Sequence, residues 1–560
     1  MTSQLREEAL QIWTAAVDSV RARSLVARSI HRDGEKLTVG QSVYRAADFD
    51  RVIVVGAGKA GSAMTQGLLD KIDTWRPVRG WINVPEGTEL ELQNVRTHPA
   101  RPSGINEPTA AGVDGSLKIL DLVQSCSDRD LCFALISGGG SALLPAPIPE
   151  IKLQDKLRLT QFLSGAGADI IELNTVRKHL SVIKGGGLLR AFRGKKIITL
   201  ILSDVLGDPV DQIASGPTVP DTTSKAQALA ILQKYDPHRT LPTRIYDALR
   251  QQNQETTLPE KTQHHDVTER HLHDPKPSGK PSRSMSISDQ KKENQRLSRE
   301  PSDYETLIIG NNAGAVSAAE RAAQQLGFIT ESHSATASEG LAEEIGRQLA
   351  QRAIEQLRDA SLKVEQPFAQ NPEPNQAALD QAEPRAINER GSTDSSPNDS
   401  QPSPHDSQTG NTPAPIPSDN LATINGGEPT VILCPPEQRG LGGRNQQLVL
   451  AAYQHLLQAN LTDLEWSRLC LISGGTDGED GPTDAAGAIL DRHVHQRAID
   501  LKLRPQDFLA RNDAYHFFEQ VDGLIVTGPT GTNVCDVRVL LIQAADGINQ
   551  ANSVDMRNTE

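Results

Sequence analysis

Three scarcities narrow the field before any motif is read. The 560 residues hold five cysteines, Cys126, Cys132, Cys434, Cys470 and Cys535, and no two form a CxxC pair. That spacing spells neither a zinc site nor a disulfide framework, so buried thiols in a reducing compartment are expected. Long apolar runs are also missing: no stretch approaches the roughly 20 residues that span a bilayer. Met1–Leu10 carries Arg6, Glu7 and Glu8 where a secretory leader would be apolar. A cytoplasmic protein with no membrane partner is therefore expected. Positive charge is the third shortage. The net charge is −14, which argues against nucleic acid, whose binding needs a basic face.

What the chain does have is a series of glycine-rich polar loops, each following a short apolar run. Val52–Val55 leads into Gly56-Ala57-Gly58-Lys59-Ala60-Gly61, and Leu131–Ile136 into Ser137-Gly138-Gly139-Gly140-Ser141. Ile197–Leu202 leads into Ser203-Asp204-Val205-Leu206-Gly207-Asp208, and Leu307–Ile309 into Gly310-Asn311-Asn312. Leu469–Ile472 leads into Ser473-Gly474-Gly475-Thr476-Asp477-Gly478, and Leu524–Val526 into Thr527-Gly528-Pro529-Thr530-Gly531-Thr532-Asn533. Apolar runs without polar alternation read as strands covered by helices on both faces. Ligands of such sheets bind beyond the carboxyl ends of the strands. The loops thus point to a small, oxygen-rich, phosphorylated ligand.

The chain is too long for one core. Leu5, Ala9, Ile12, Ala16 and Val20 recur at helical spacing. Helices are also expected over Ser62–Ile72, Ala313–Leu326, Gly340–Leu357 and Gly442–Gln458. Two stretches lack periodicity and apolar content, 251–302 (with His264, His265, His271 and His273) and 365–419, and both read as disordered inserts. The expected architecture is α/β, with two domains of largely parallel sheets flanked by helices and an active-site cleft between them. A Rossmann-like N-terminal domain occupies 1–250, and the C-terminal domain takes 303–364 with 420–548.

Gly56-x-Gly58-x-x-Gly61 matches the dinucleotide-binding pattern, and Glu86 lies just past the next strand candidate, Gly80–Val84. Lys59 is an unusual occupant, placing a full charge where a helix dipole already favours anions. The loop is not a Walker A motif, because Ala60 follows Lys59. His31-Arg32-Asp33 mimics the protein-kinase triplet, but Thr38 stands where the asparagine is needed. Carboxylates cluster in two loops: Asp204 and Asp208, then Asp477, Glu479, Asp480 and Asp484. Such groups can hold Mg²⁺ or accept a hydroxyl proton. Arg177, Lys178, Lys184 and Arg444 supply cations suited to phosphate or carboxylate.

Taken together, these segments resemble the type II glycerate 2-kinases. The N-terminal part of the family is matched by Gly56-Ala57-Gly58-Lys59-Ala60, Ser137-Gly138-Gly139-Gly140-Ser141-Ala142, Asn174-Thr175-Val176-Arg177-Lys178-His179-Leu180-Ser181 and Ser203-Asp204-Val205. The C-terminal MOFRL region is matched by Gly426-Gly427-Glu428, Gly442-Gly443-Arg444-Asn445-Gln446, Gly475-Thr476-Asp477-Gly478 and Gly528-Pro529-Thr530-Gly531-Thr532-Asn533-Val534.

The resemblance implies ATP- and Mg²⁺-dependent phosphorylation of D-glycerate at its 2-hydroxyl. It implies Lys59, Asp204, Arg444 and Asp477 as the reacting set. Lys59 and Arg444 would neutralise the phosphoryl group. Asp204 or Asp477 would act on the hydroxyl, and the other would hold the metal. Binding roles fall to Gly56, Gly58, Ser137, Gly138, Gly139, Gly140, Ser141, Asn174, Arg177, Lys184, Asn312, Glu428, Thr530 and Asn533. Partners are D-glycerate and ATP, with a homodimer left open.

Three positions depart from the family's pattern. His98-Pro99 is followed by Ala100-Arg101-Pro102 rather than x-Pro-Asp, Gln447 replaces a glutamate and Ala514 a serine. The rival activity is an NAD(P)H-dependent hydroxypyruvate reductase, for which His98 and His179 are candidate acids without a legible acidic partner. A non-catalytic sugar-acid sensor is the third reading.

Overall fold

The computed structural model describes residues 4–250, 303–337, 339–358 and 420–544. The two expected inserts, 251–302 and 365–419, lie outside the described residues. Each apolar run named above forms a strand, the last shortened to Leu524–Ile525.

A small antiparallel sheet comes first, made of β1 (Ile30–Asp33), β2 (Lys36–Val39) and β3 (Ser42–Arg45). The first large sheet contains β4 (Arg51–Ala57), β5 (Val78–Pro85), β6 (Glu91–Leu92), β7 (Val95–Arg101), β8 (Asp130–Ile136), β9 (Lys196–Leu202) and β10 (Asp303–Gly310). Its order is β10-β9-β8-β4-β5-β7-β6, and all neighbours are parallel except β6 with β7. The chain starts at β4, builds outward through β5 and β7, then returns to add β8, β9 and β10 on the other side. The direction of winding reverses between β4 and β8. At such a switch point the flanking loops splay apart and leave a crevice. Gly56–Lys59 and Ser137–Ser141 are the loops that border it.

The second large sheet contains β11 (Ile329–Ser334), β12 (Leu421–Gly427), β13 (Leu469–Gly475), β14 (Gly487–Asp491), β15 (Leu524–Ile525) and β16 (Asp536–Ile542). Its order is β11-β12-β16-β13-β14-β15. Here the structure differs from the expectation of a parallel sheet: only β11 and β12 run parallel, and every other pair is antiparallel. The physical reason is burial. Helices cover both faces, so β13, β14 and β16 are buried along their whole length. An antiparallel strand covered on both sides loses its polar alternation and reads like a parallel one.

Two elements also fall on the other side of the expected domain boundary. β10 pairs with β9 in the first sheet. The N-terminal helix Gln4–Ser19 lies on the second, where Leu5, Ala9, Ile12, Trp13 and Ala16 join a buried cluster with Cys470, Ile472, Val537 and Val539. Apolar periodicity specifies that a segment is buried, not which sheet buries it.

Trp13 anchors that helix. It is 2% exposed, its Nε1 donates to Gly474 O at 3.4 Å, and a Cβ on Gly474 would lie 2.9 Å from the indole. Trp13→Ala should therefore cost about 3–5 kcal/mol, read as a lowered urea midpoint. An unchanged midpoint would show that the helix is not part of the second sheet's core.

Candidate active site

The glycines of the first loop serve the fold before any ligand. A Cβ on Gly56 would lie 2.0 Å from Leu135 O, and one on Gly58 1.9 Å from Ser137 Oγ. They let the ends of β4 and β8 cross closely. The loop's backbone donors are also occupied. Gly58 N–H donates to Asn83 O at 3.2 Å, Lys59 N–H to Gly138 O at 2.8 Å and Ala60 N–H to Ser137 Oγ at 3.1 Å. A dinucleotide loop needs such N–H groups free for pyrophosphate, and here they are not. His98, a candidate acid of the reductase reading, has its Nε2 at 2.9 Å from backbone Ala111 O. The other, His179, lies 3.8 Å from Asp221.

What the loop does offer is the Lys59 side chain. Its Nζ meets Asp477 Oδ2 and Glu479 Oε2, each at 2.8 Å. Both carboxylates stand on the loop after β13, so one cation bridges the two sheets. Burial opposes the Lys59 charge, but the two carboxylates outweigh it and raise the pKa above the usual lysine value. Thr530 holds that loop in place, donating its N–H to Asp477 O at 3.2 Å and its hydroxyl to Thr476 O at 2.6 Å.

Asp204 lies at the end of β9. Its Oδ2 accepts Gly139 N–H at 3.3 Å. Burial first, then the charge of Glu428, pushes its carboxyl up to about 6. Gly138 has no room for a side chain: a Cβ there would lie 2.3 Å from Asn533 Nδ2 and 2.5 Å from Asp204 Oδ2. Residues from both halves thus meet at one backbone position.

Arg444 opens the helix Arg444–Gln458. It grips Asp536 bidentately at 2.6 and 3.0 Å and reaches Glu428 at 2.8 Å. Burial raises the Glu428 pKa, with Arg444 pulling against it. Cys535, at φ 68, sits among these groups, its Sγ 2.9 Å from Asp204 O.

A second polar cluster surrounds the Ser141 end of the same loop. Lys184 Nζ donates to Ser141 O at 2.8 Å and to Ser141 Oγ at 2.9 Å. Ser141 Oγ is 3.0 Å from Ser215 Oγ, which donates to Asn174 Oδ1 at 3.0 Å. Burial lowers the Lys184 pKa well below its ordinary value, and neighbouring Arg177 and Lys156 lower it further. Burial brings Arg177 down to about 10. These cations have no carboxylate within ion-pair reach among the described residues, a standing demand for an anion.

The structure thus gathers Lys59, Asp204, Arg444, Asp477, Glu428 and Asn533 where the loops of the two sheets meet, with Ser141, Asn174, Arg177 and Lys184 alongside. Asn312 has a different position. Its Nδ2 donates to Val534 O at 2.9 Å and Asp536 O at 3.0 Å, and its Oδ1 accepts from Ser334 at 2.7 Å. Its amide is spent inside the protein, pinning β16. Asp480, one of the clustered loop acids, accepts the N–H groups of Asn445 and Gln446 at 3.0 and 2.8 Å and so caps the Arg444 helix. Sequence reasoning missed Asp536 and named Glu479 only among the loop carboxylates, not in the reacting set. Asp536 escaped because it begins a strand: β16 runs antiparallel, so its start lies at the same rim as the ends of β12 and β13, opposite Gly427 and Gly475.

A family described only as a domain of unknown function, DUF4147, matches residues 8–250, and the MOFRL family matches 421–536. The glycerate kinase of Danio rerio is 32% identical, with 96% of this chain and 98% of that one covered. The D-glycerate 2-kinase of Thermotoga maritima is 30% identical, with 88% and 91% covered. The crystal structure of a Thermotoga maritima glycerate kinase superposes with a TM-score of 0.64 at 26% identity, covering 96% of this chain and 99% of that one. A Pyrococcus horikoshii protein superposes at 0.63 and 25%, covering 97% and 100%. The near-full-length identity, the paired family matches and the shared fold place this chain in the type II glycerate kinase family.

Proposed function

We propose that the protein transfers the γ-phosphoryl group of ATP to the 2-hydroxyl of D-glycerate, giving ADP and 2-phospho-D-glycerate. The observation that carries this reading is the meeting of Lys59 with carboxylates of the opposite half, beside an Asp204 whose carboxyl is pushed up to about 6. Phosphoryl transfer asks a protein for position and for charges placed where charge develops.

In this reaction the glycerate hydroxyl oxygen attacks the γ-phosphorus, the bond to the β-phosphate oxygen breaks, and the hydroxyl proton passes to the Asp204 carboxylate. A base with a pKa near 6 is ionised at neutral pH yet still takes up a proton. Lys59 would exchange a carboxylate partner for a phosphoryl oxygen as charge builds there. Arg444, clamped by Asp536, would hold its remaining face towards the same group. Arg177, with Lys184 and Asn174 behind it, would meet a substrate anion, while Lys184 fixes Ser141 at the end of the Gly138–Ser141 loop.

Mg²⁺ belongs to the same reading. Among the described residues no three His, Cys, Asp or Glu side chains converge as a ready-made metal cage. An ion of this kind takes one or two carboxylates and completes its shell with phosphate oxygens and water. Asp477 and Glu479, side by side on Lys59, would hold it. When bound, the ion neutralises the triphosphate. Asp204 is left as the proton acceptor.

An assay with D-glycerate, ATP and Mg²⁺, its product resolved by phosphorus NMR, should give 2-phosphoglycerate. Lys59→Ala should lower kcat by at least about 10²–10³-fold. Hydroxypyruvate with NADH or NADPH should give no oxidation; oxidation without phosphorylation would overturn the kinase and favour the reductase.

Asp204 makes a second prediction, with two readouts. The kinase should lose kcat/KM as pH falls through about 6, the value to which burial and Glu428 push that carboxyl. Because its folded pKa lies above the ordinary carboxylate value, ionised Asp204 destabilises the fold above about pH 6, and that cost fades as pH falls towards 4. Asp204→Asn should therefore be inactive yet melt higher than wild type at pH 8, with the gain vanishing near pH 4. A variant that melts lower at pH 8 would contradict the buried-charge assignment.

A further inference from the structure

Arg101 ends β7, on the rim where β4, β8 and β9 deliver the site loops. It is 3% exposed, and no carboxylate lies within ion-pair distance of it among the described residues. Nη1 donates to two backbone carbonyls, Pro102 O at 3.1 Å and Ile105 O at 2.5 Å. Nε is buried without a partner. Nη2 points at the glycine loop: a Cβ on Gly139 would lie 3.3 Å from it and 3.6 Å from Lys59 Cγ. Gly139 sits at φ +73, a left-handed conformation that favours glycine, so the backbone between the two cations is bare.

A buried guanidinium with one end tied down and the other edge unpaired is costly unless an anion completes it. Burial lowers the Arg101 pKa and the charge of Glu479 partly offsets this, yet guanidinium remains protonated. Glu479 acts on Arg101 only through its charge: the two form no ion pair, and its Oε2 meets Lys59 at 2.8 Å. The unpaired edge, the bare Gly139 and the neighbouring Lys59 together place two cations and a glycine backbone where tetrahedral oxygens could be held.

We infer that Arg101 is a further catalytic residue, whose Nη2–Nε edge binds the terminal phosphate oxygens of the nucleoside triphosphate over Gly139, opposite Lys59. This deepens the proposed phosphoryl transfer and rests on it. Tying Nη1 to Pro102 and Ile105 orients the fork before the nucleotide arrives, which is what a pre-organised phosphate clamp needs.

The test compares Arg101→Gln, Arg101→Lys and Arg101→Ala with wild type by steady-state kinetics, ATP titration calorimetry and thermal melting. Loss of a charged two-point contact predicts a fall of about 100-fold or more in kcat/KM for ATP in Arg101→Gln, with KM for D-glycerate within about threefold. Arg101→Lys should keep the fold and recover only part of the rate, because ammonium offers a point charge and no fork. Added guanidinium should restore part of the Arg101→Ala activity, which a purely structural tether would not allow. Full ATP affinity and rate in a folded Arg101→Gln or Arg101→Lys would overturn the inference, as would no response of Arg101→Ala to guanidinium. A wild type that phosphorylates no glycerate would sink the proposed reaction instead, and ATP affinity would then judge Arg101 by itself.

Discussion

One cation shared between the two halves organises the site. Lys59 leaves the first sheet and is held by Asp477 and Glu479 of the second, with side-chain exposures of 28%, 15% and 35%. Desolvation offsets much of the Coulombic attraction in such a partly buried cluster, so its contribution to stability is small and its contribution to position is large. It sets how far apart the loops after β4 and β13 stand. Around it the remaining contacts arrange themselves: Asn533 against Gly138, and Cys535 against the Asp204 carbonyl.

The covalent crossings between the sheets lie beside the same cleft. The helix Gln4–Ser19 lies on the second sheet, while Ala22–Ser29 packs on Gly61–Ile72 of the first, with Arg23 paired to Asp70 at 2.7 Å. The chain crosses at Val20–Arg21, and Thr532 donates to Val20 O at 2.5 Å, tying that crossing to the loop that carries Asn533. The second crossing follows β10. Asn311 caps the next helix by accepting Gly314 N–H at 3.0 Å, and its amide donates to Asp208 at 2.5 Å. Any opening of the cleft must therefore flex about two points that are bonded to site loops. Movement of the halves and geometry of the site are coupled by construction.

In the first sheet β4, β8, β9 and β10 were legible as apolar runs ending in glycine-bearing loops, and β5 as Gly80–Val84, whereas the short β6 and the polar β7 were not. Strand direction in the second sheet was not, since buried β13 and β16 carry no mark of orientation. That error hid Asp536: a search for carboxylates beyond strand ends passes over one that starts a strand. Arg101 was visible only as a departure from a motif. Its meaning depends on the absence of a counter-ion, a property of three-dimensional surroundings. Gln447, also a departure, has a simple local account. Its Nε2 donates to Glu343 at 3.0 Å and to Leu509 O at 3.2 Å; a glutamate in that buried place would confront another carboxylate.

The balance of charge in the cleft bears on which chemistry the site can support. Asp204, Glu428, Asp477, Glu479 and Asp536 face Lys59, Arg101 and Arg444, an excess of negative charge before any substrate enters. A triphosphate and a carboxylic acid add more. A hydride acceptor site for a small oxo acid would not be built this way, because nothing in hydride transfer uses several convergent carboxylates. The proposed phosphoryl transfer would use them: one carboxylate to take the hydroxyl proton, others to share a divalent cation with the phosphates, and one to anchor the arginine. Despite that acid excess, three nearby cations form no ion pair among the described residues. Arg101 and Lys184 are buried and Arg177 is half-buried, each without a carboxylate partner among the described residues, an arrangement suited to anionic oxygens.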